Sequence, residues 1–313
     1  MSDHEKLHVV LGSGPAGSTL AAELADRGHA VRHVSRRAPQ DPPPGVETAA
    51  ADVSDPAAAR DATAGAAVIY HCVNVPYPEQ PARMPGIGET ILGAAAAHGA
   101  RLVVLDTLYP YGEAGGEAIT EDTPWAATTV KGRMRADLDR RYLAAHEAGE
   151  ARVVAGRAAD FYGPGVLSST LGGAVFPAAL TGEEALAIGD IDLPHSYTYI
   201  KDVARGLATL GERPDGDGRI WHLPTVPART TREVLDLVAR HAGSPLRLHE
   251  LREPAPYGPF DAEFMEAYAE MFYQHQIPQN MVSAAFEEAF GVAPTPLEEG
   301  VAETVAWYRA ALA

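Results

Sequence analysis

The chain has 313 residues, 46% hydrophobic and 21% charged, which is enough apolar material for a sizeable core and excludes a disordered or fibrous protein. With 25 basic against 42 acidic residues the formal net charge is −17, a field that repels phosphate backbones and anionic membranes and argues against nucleic acid or membrane as a partner. The one cysteine, Cys72, excludes an internal disulfide, and a charged start with no apolar run near the roughly 20 residues of a bilayer span predicts a cytoplasmic chain.

Leu7 to Leu11 is a short apolar run that ends in Gly12-Ser13-Gly14-Pro15-Ala16-Gly17, and Ser18 to Arg27 carries apolar residues at helical spacing. This predicts a strand, a glycine turn and a helix. A second strand over Ala30 to Val34 stops at Ser35-Arg36-Arg37, and Pro39 to Gly45 is an exposed loop. Asp55-Pro56 opens a helix to Ala64, with the acid as cap and the proline in the first turn. Strands over Ala66 to Val73, Arg101 to Asp106 and Ala151 to Gly156 follow, separated by an alanine-rich helix ending near His98 and a helix from about Thr128 to His146.

Such alternation predicts an α/β fold, a Rossmann doubly wound parallel sheet whose ligands gather beyond the carboxyl ends of the strands. After Gly163-Pro164-Gly165 the pattern loosens, with helices near Arg229 to His241, Asp261 to His275 and Leu297 to Leu312. The expected division is a Rossmann core over 1–165 and a smaller, mainly substrate-binding lobe over 166–313, with about 195–225 returning to the core.

The glycines have the spacing of a dinucleotide turn in the right context. Gly12 allows the tight turn, Gly14 lets the backbone approach a pyrophosphate, and Gly17 permits close helix packing, with Ser13, Pro15 and Ala16 completing the loop. The end of the second strand selects the dinucleotide, because an acid there accepts from the ribose hydroxyls of NAD and repels a 2′-phosphate. Ser35, Arg36 and Arg37 stand there instead, and guanidinium pairs well with phosphate, so NADP is expected ahead of NAD. Asp52, followed by Val53, is placed to accept from the adenine amino group.

Several segments together resemble the extended short-chain dehydrogenase/reductases, the group containing the NAD-dependent epimerases and dehydratases. They are the glycine turn, Asp52-Val53-x-Asp55, His71-Cys72-Val73-Asn74, Asp106-Thr107-Leu108-Tyr109-Pro110-Tyr111-Gly112, Arg157 to Gly165 and Tyr199 to Ala204. The resemblance implies hydride transfer between a nicotinamide and a carbon bearing oxygen or nitrogen, with Cys72, Val73 and Asn74 beside the cofactor. It also implies dimerisation through the helices over Pro81 to His98 and Thr128 to His146.

The resemblance breaks at the Tyr-x-x-x-Lys pair, for Lys131 stands in place of the tyrosine and Arg135 in place of the lysine. Asp139 replaces a glutamate and Asp160 an asparagine. Thr107 keeps the substrate-orienting hydroxyl. Lys131 is then a candidate acid or base, its pKa lowered by a like charge four residues on, or a ligand of the cofactor ribose. Tyr109, two residues past Thr107, is the other candidate donor, with Tyr77, Asp160, His195 and Tyr199 lining the substrate cleft. Cys72 reads as a small buried hydrophobe.

Among 12 histidines none falls in His-Glu-x-x-His or a comparable spacing, so no metal is expected. The readings of function are an NADP-dependent oxidoreductase acting on a small carbonyl or imine, a non-catalytic NADP-binding regulator of NmrA-like type, and an epimerase or dehydratase of a sugar nucleotide.

Overall fold

The computed structural model describes residues 6–114, 116–258 and 260–313. The chain forms two compact units, the first made of residues up to Thr107 with Arg133–Arg157 and Val203–Leu223, the second of Leu108–Gly132, Ala158–Asp202 and Pro224–Ala313.

The first unit is built on a seven-stranded sheet: β1 (Leu7–Leu11), β2 (Ala30–Ser35), β3 (Val46–Ala50), β4 (Ala66–His71), β5 (Arg101–Thr107), β6 (Arg152–Ala158) and β7 (Ile220–His222). Their order is β7-β6-β5-β4-β1-β2-β3, so the chain winds outward from β1 in one direction and then, after β3, in the other. The pairings β1–β2, β2–β3, β1–β4, β4–β5 and β6–β7 are parallel. The point where the winding reverses lies between β1 and β4, where open α/β sheets place their ligands. Helices α1 (Pro15–Asp26), α2 (Pro56–Ala62), α3 (Gln80–His98), α4 (Val130–Glu147) and α5 (Ile200–Glu212) connect the strands.

Val9, Leu11, Ile69, Ile91 and Leu102 are fully buried in this unit's core, as expected for strands covered on both faces. Asp55 caps α2 by accepting from the backbone N–H of Ala58 at 2.7 Å. β3 is the strand without a sequence signal: Val-Glu-Thr-Ala-Ala holds one strong apolar β-former, and tertiary pairing to β2 decides it.

The second unit is assembled from short pairings. Asp160–Tyr162 runs parallel to Tyr197–Tyr199, Glu184–Ile188 parallel to Arg247–Leu251, and Pro194–His195 antiparallel to Arg229–Thr230. Thr230 and Glu233 form a capping box at the start of the Thr231–Ala242 helix. The helix expected over Asp261 to His275 is instead an α-helix, Ala262–Ala269, followed by a separate 3₁₀ turn at Phe272–His275. Among the described residues no helix is long and apolar enough to cross a membrane.

Candidate active site

The first unit carries the glycine turn. Gly12 has φ +107°, and a Cβ there would lie 2.7 Å from the carbonyl oxygen of Cys72. At Gly17 a Cβ would lie 1.9 Å from the Gly12 carbonyl oxygen, so the turn closes only without side chains. At Gly14, by contrast, a Cβ would meet no atom within 4 Å. Gly14 is the N-cap of α1, where Pro15 fills the first turn and neither an acidic residue nor a side-chain cap occupies the first N–H groups. Ser13 is exposed and Ala16 buried. The arrangement fits a pyrophosphate, which the uncapped amides and the helix dipole would hold. His33, passed over in the sequence, steadies the turn through Nε2, 2.9 Å from the Gly12 carbonyl oxygen.

Ser35 is the last residue of β2, and Arg36 and Arg37 beside it are exposed. No carboxylate ends this strand. Asp52 is also exposed, and its carboxyl is held below its usual range by hydrogen bonds from the Ser54 hydroxyl and backbone N–H, with smaller help from the charge of Arg36. Its Oδ1 is thus engaged with Ser54, and Val53 behind it is buried.

Beyond β4, burial pushes the Cys72 thiol up to about 12, so it stays protonated and unreactive. Val73 packs on the core, and the Asn74 side chain accepts from the N–H of Val75 at 3.0 Å. His71 was not a sequence candidate, yet its Nδ1 accepts from the N–H of Val73 at 3.3 Å and shapes this segment. Burial, followed by the positive charge of Arg135, holds its pKa down to about 3, which keeps that acceptor free of a proton. Tyr77 begins a 3₁₀ turn a few residues on.

Thr107 ends β5, directly after Asp106. Asp106 accepts from Nε of Arg157 at 2.8 Å, and Arg157 also donates to Asp139 at 2.5 Å, with all three side chains no more than 2% exposed. Arg135 approaches Asp106 to 4.0 Å. Burial and the neighbouring Asp106 charge raise the Asp139 carboxyl well above its usual range, against the pull of Arg157. The cluster ties β5, β6 and α4 together immediately below Thr107, so the threonine is carried on a fixed strand end.

Tyr109, Lys131, Asp160, His195 and Tyr199 belong to the second unit. Lys131 is 3% exposed, and its ammonium donates to the Ala267 carbonyl at 2.7 Å and to Glu270 at 2.9 Å. Glu270 also accepts from the N–H of Val130 at 2.6 Å, so one carboxylate both neutralises the lysine and caps α4. Tyr109 is half-buried in a 3₁₀ turn, and burial raises the phenol pKa values of Tyr268 and Tyr273.

Asp160 and His195 do come together: His195 Nε2 lies 3.2 Å from an Asp160 oxygen, which also accepts from Thr170. His275, absent from the sequence candidates, stacks on His195 with ring centroids 5.0 Å apart and shares a 2.5 Å hydrogen bond with the Tyr268 hydroxyl. Burial, then the charge of His195, lowers its pKa to about 4. Tyr199 is directed elsewhere, its hydroxyl donating to Glu303 at 2.5 Å.

The profile of the NAD dependent epimerase/dehydratase family matches residues 9–223. No curated protein sequence gives a significant match. Among solved structures, a UDP-glucose 4-epimerase of Thermus thermophilus in complex with NAD is 24% identical, with TM-score 0.77 over 97% of this chain and 99% of that one. A dTDP-glucose 4,6-dehydratase of Streptomyces venezuelae with NAD bound is 19% identical, with TM-score 0.80 over 97% of both chains. A UDP-glucose 4-epimerase of Thermotoga maritima, solved with UDP-glucose, is 17% identical, with TM-score 0.78 over 98% of this chain and all of the other. These likenesses in fold run over nearly the whole chain, and the profile covers every strand of its seven-stranded sheet except the first residues of β1; the chain belongs to the NAD dependent epimerase/dehydratase family.

Proposed function

We propose that this family member is an NADP-dependent oxidoreductase that passes hydride between the nicotinamide and a small carbonyl or imine substrate. The observation that carries the cofactor half is the end of β2, where Ser35 and the exposed Arg36 and Arg37 replace the acid that would read a free ribose. The similar structures named above include NAD complexes, so the preference rests on this chain's own residues.

In this reading the bound dinucleotide supplies or accepts the hydride, while the chain orients the substrate and moves one proton. Thr107 orients the substrate oxygen or nitrogen, and Tyr109 donates the proton. Lys131 is the weaker donor because its ammonium is already committed to Glu270 and the Ala267 carbonyl. That commitment favours a second reading, a non-catalytic NADP-dependent regulator.

The test is steady-state NADPH oxidation over a panel of carbonyls and imines, with NADPH affinity measured alongside. Tyr109→Phe should lower kcat by about 10² to 10⁴ and leave NADPH affinity within about twofold. Tight NADPH binding with no turnover on any member of the panel would replace the enzymatic reading with the regulatory one.

A further inference from the structure

We propose that Asp160, His195 and His275 bind one divalent first-row transition-metal ion. One ring nitrogen from each histidine and one carboxylate oxygen lie within 4.8 Å of one another. The proposal is independent of the dinucleotide reading, since all three donors belong to the second unit.

The donors come from three separate stretches of chain, each fixed by its own backbone bonds. Asp160 begins the strand paired in register with Tyr197–Tyr199. His195 lies in the short pairing with Arg229–Thr230 and forms an isolated bridge with Gln279, whose N–H donates to the Pro194 carbonyl at 2.8 Å. His275 ends the 3₁₀ turn, and its carbonyl accepts from the N–H of Asp190 at 2.8 Å. Little chain entropy is therefore left to lose when an ion gathers them.

The spacing suits an ion of that size. Metal–nitrogen and metal–oxygen bonds of about 2.0–2.2 Å in tetrahedral geometry put neighbouring donors roughly 3.3–3.6 Å apart. The His195–Asp160 pair is already at 3.2 Å, and the set closes by a rotamer-scale shift of about 1 Å at the third donor. The Thr170 hydroxyl on Asp160 and the Tyr268 hydroxyl on His275 are outer contacts of the kind that hold metal ligands in orientation.

Burial differs across the set in a useful way. His195 and His275 are 4% and 5% exposed, while the Asp160 carboxylate is 29% exposed and leaves a way in for the ion and for a water in the fourth position. Two imidazoles with one carboxylate favour zinc, cobalt, nickel or ferrous iron over magnesium or calcium, which take oxygen donors. No local motif could disclose the set, because its members are spread over two of the chain's thirds and meet only through the fold.

The experiment uses the full-length protein, stripped with chelator and dialysed. Zn²⁺ is titrated by calorimetry, and Co²⁺ is followed by its visible d–d absorption. The expected result is one ion per chain, tetrahedral cobalt bands, and a melting temperature that rises with Zn²⁺. Asp160→Asn and His275→Gln should each weaken binding by about 100-fold or more and abolish the shift in melting temperature.

Asp160→Asn keeps an acceptor for Thr170 on a partly exposed side chain, so it carries the test even if His275→Gln fails to fold. Absence of a stoichiometric site overturns the proposal. Binding that persists unchanged in Asp160→Asn also overturns it, since the ion then sits on other histidines.

Discussion

The His71 ring offers a titration whose sign and size follow from its surroundings. In the fold burial and Arg135 hold its pKa at about 3, whereas in the unfolded chain a histidine titrates near 6.5. Between those values the unfolded chain binds a proton that the native state refuses, so this group's contribution to stability is full above pH 6.5 and falls as the pH drops toward 3. Linkage gives a loss of about 2 kcal/mol at pH 5 and almost none at pH 7. The asparagine variant His71→Asn keeps an acceptor but does not titrate. The stability difference between wild type and this variant should therefore shift by about 2 kcal/mol against the wild type between pH 7 and pH 5.

Taking the difference cancels every group the two proteins share, including Asp139, whose raised pKa gives a slope of opposite sign. Urea unfolding at both pH values, with the slope m checked for constancy, measures it. A difference independent of pH within about 0.5 kcal/mol would refute the claim that the ring is buried and neutral. In the native state the ring stays neutral over this range and keeps accepting from the Val73 N–H, so the pH dependence should appear in stability and not in His71's part of nucleotide binding.

Four further outcomes follow from the geometry. Arg36→Ala should reduce the NADPH over NADH preference by about tenfold or more, because one charge-assisted contact to phosphate is worth about 1.5–3 kcal/mol; fluorescence titration with both nucleotides measures this. Gly17→Ala drives a methyl group to 1.9 Å from the Gly12 carbonyl oxygen, and should abolish nucleotide binding in a dialysis assay while the sheet's far-ultraviolet circular dichroism survives. Glu270→Ala removes the carboxylate that neutralises the buried Lys131 ammonium and caps α4, at about 3 kcal/mol by denaturant titration, and the added change Lys131→Met should recover most of the loss. Arg157→Met should destabilise by about 3–5 kcal/mol, because it leaves two buried carboxyls without their shared partner, whereas Asp139→Asn, which removes a charge that burial disfavours and keeps an acceptor for Arg157, should cost about 1 kcal/mol.

Most of the sheet was legible because parallel strands covered on both faces must be short continuous apolar runs, and Leu7–Leu11, Ala66–His71 and Arg101–Thr107 are such runs. The glycine turn was legible for a steric reason, since two of its three positions leave no room for a Cβ. What escaped the sequence was set at long range. Val46–Ala50 becomes a strand through β2, and the expected helix over Asp261 to His275 divides near Glu270, whose carboxylate binds the N–H of Val130, far away in sequence. Lys131 illustrates the same limit: its place in the sequence suggested proton transfer, and only the fold reveals the carboxylate that holds its ammonium.

The two units treat their buried charges differently, and the difference bears on where chemistry resides. In the first unit Arg157 engages Asp106 and Asp139 together, and Arg135 stands near by, so opposite charges face one another inside the sheet and the cluster works as a brace under Thr107. A brace of this kind gains from rigidity and loses from exchange of protons. In the second unit Asp160, His195, His275 and Tyr268 form a chain of groups that can each give or take a proton or a metal bond, opened to solvent at the carboxylate. A fold has little structural reason to bury two stacked imidazoles beside a carboxylate, because apolar side chains of the same volume would pack without the cost of desolvation. Two buried imidazoles beside a carboxylate are better accounted for by a ligand than by packing, and this makes the Asp160–His195–His275 cluster the place to test first for a bound ion.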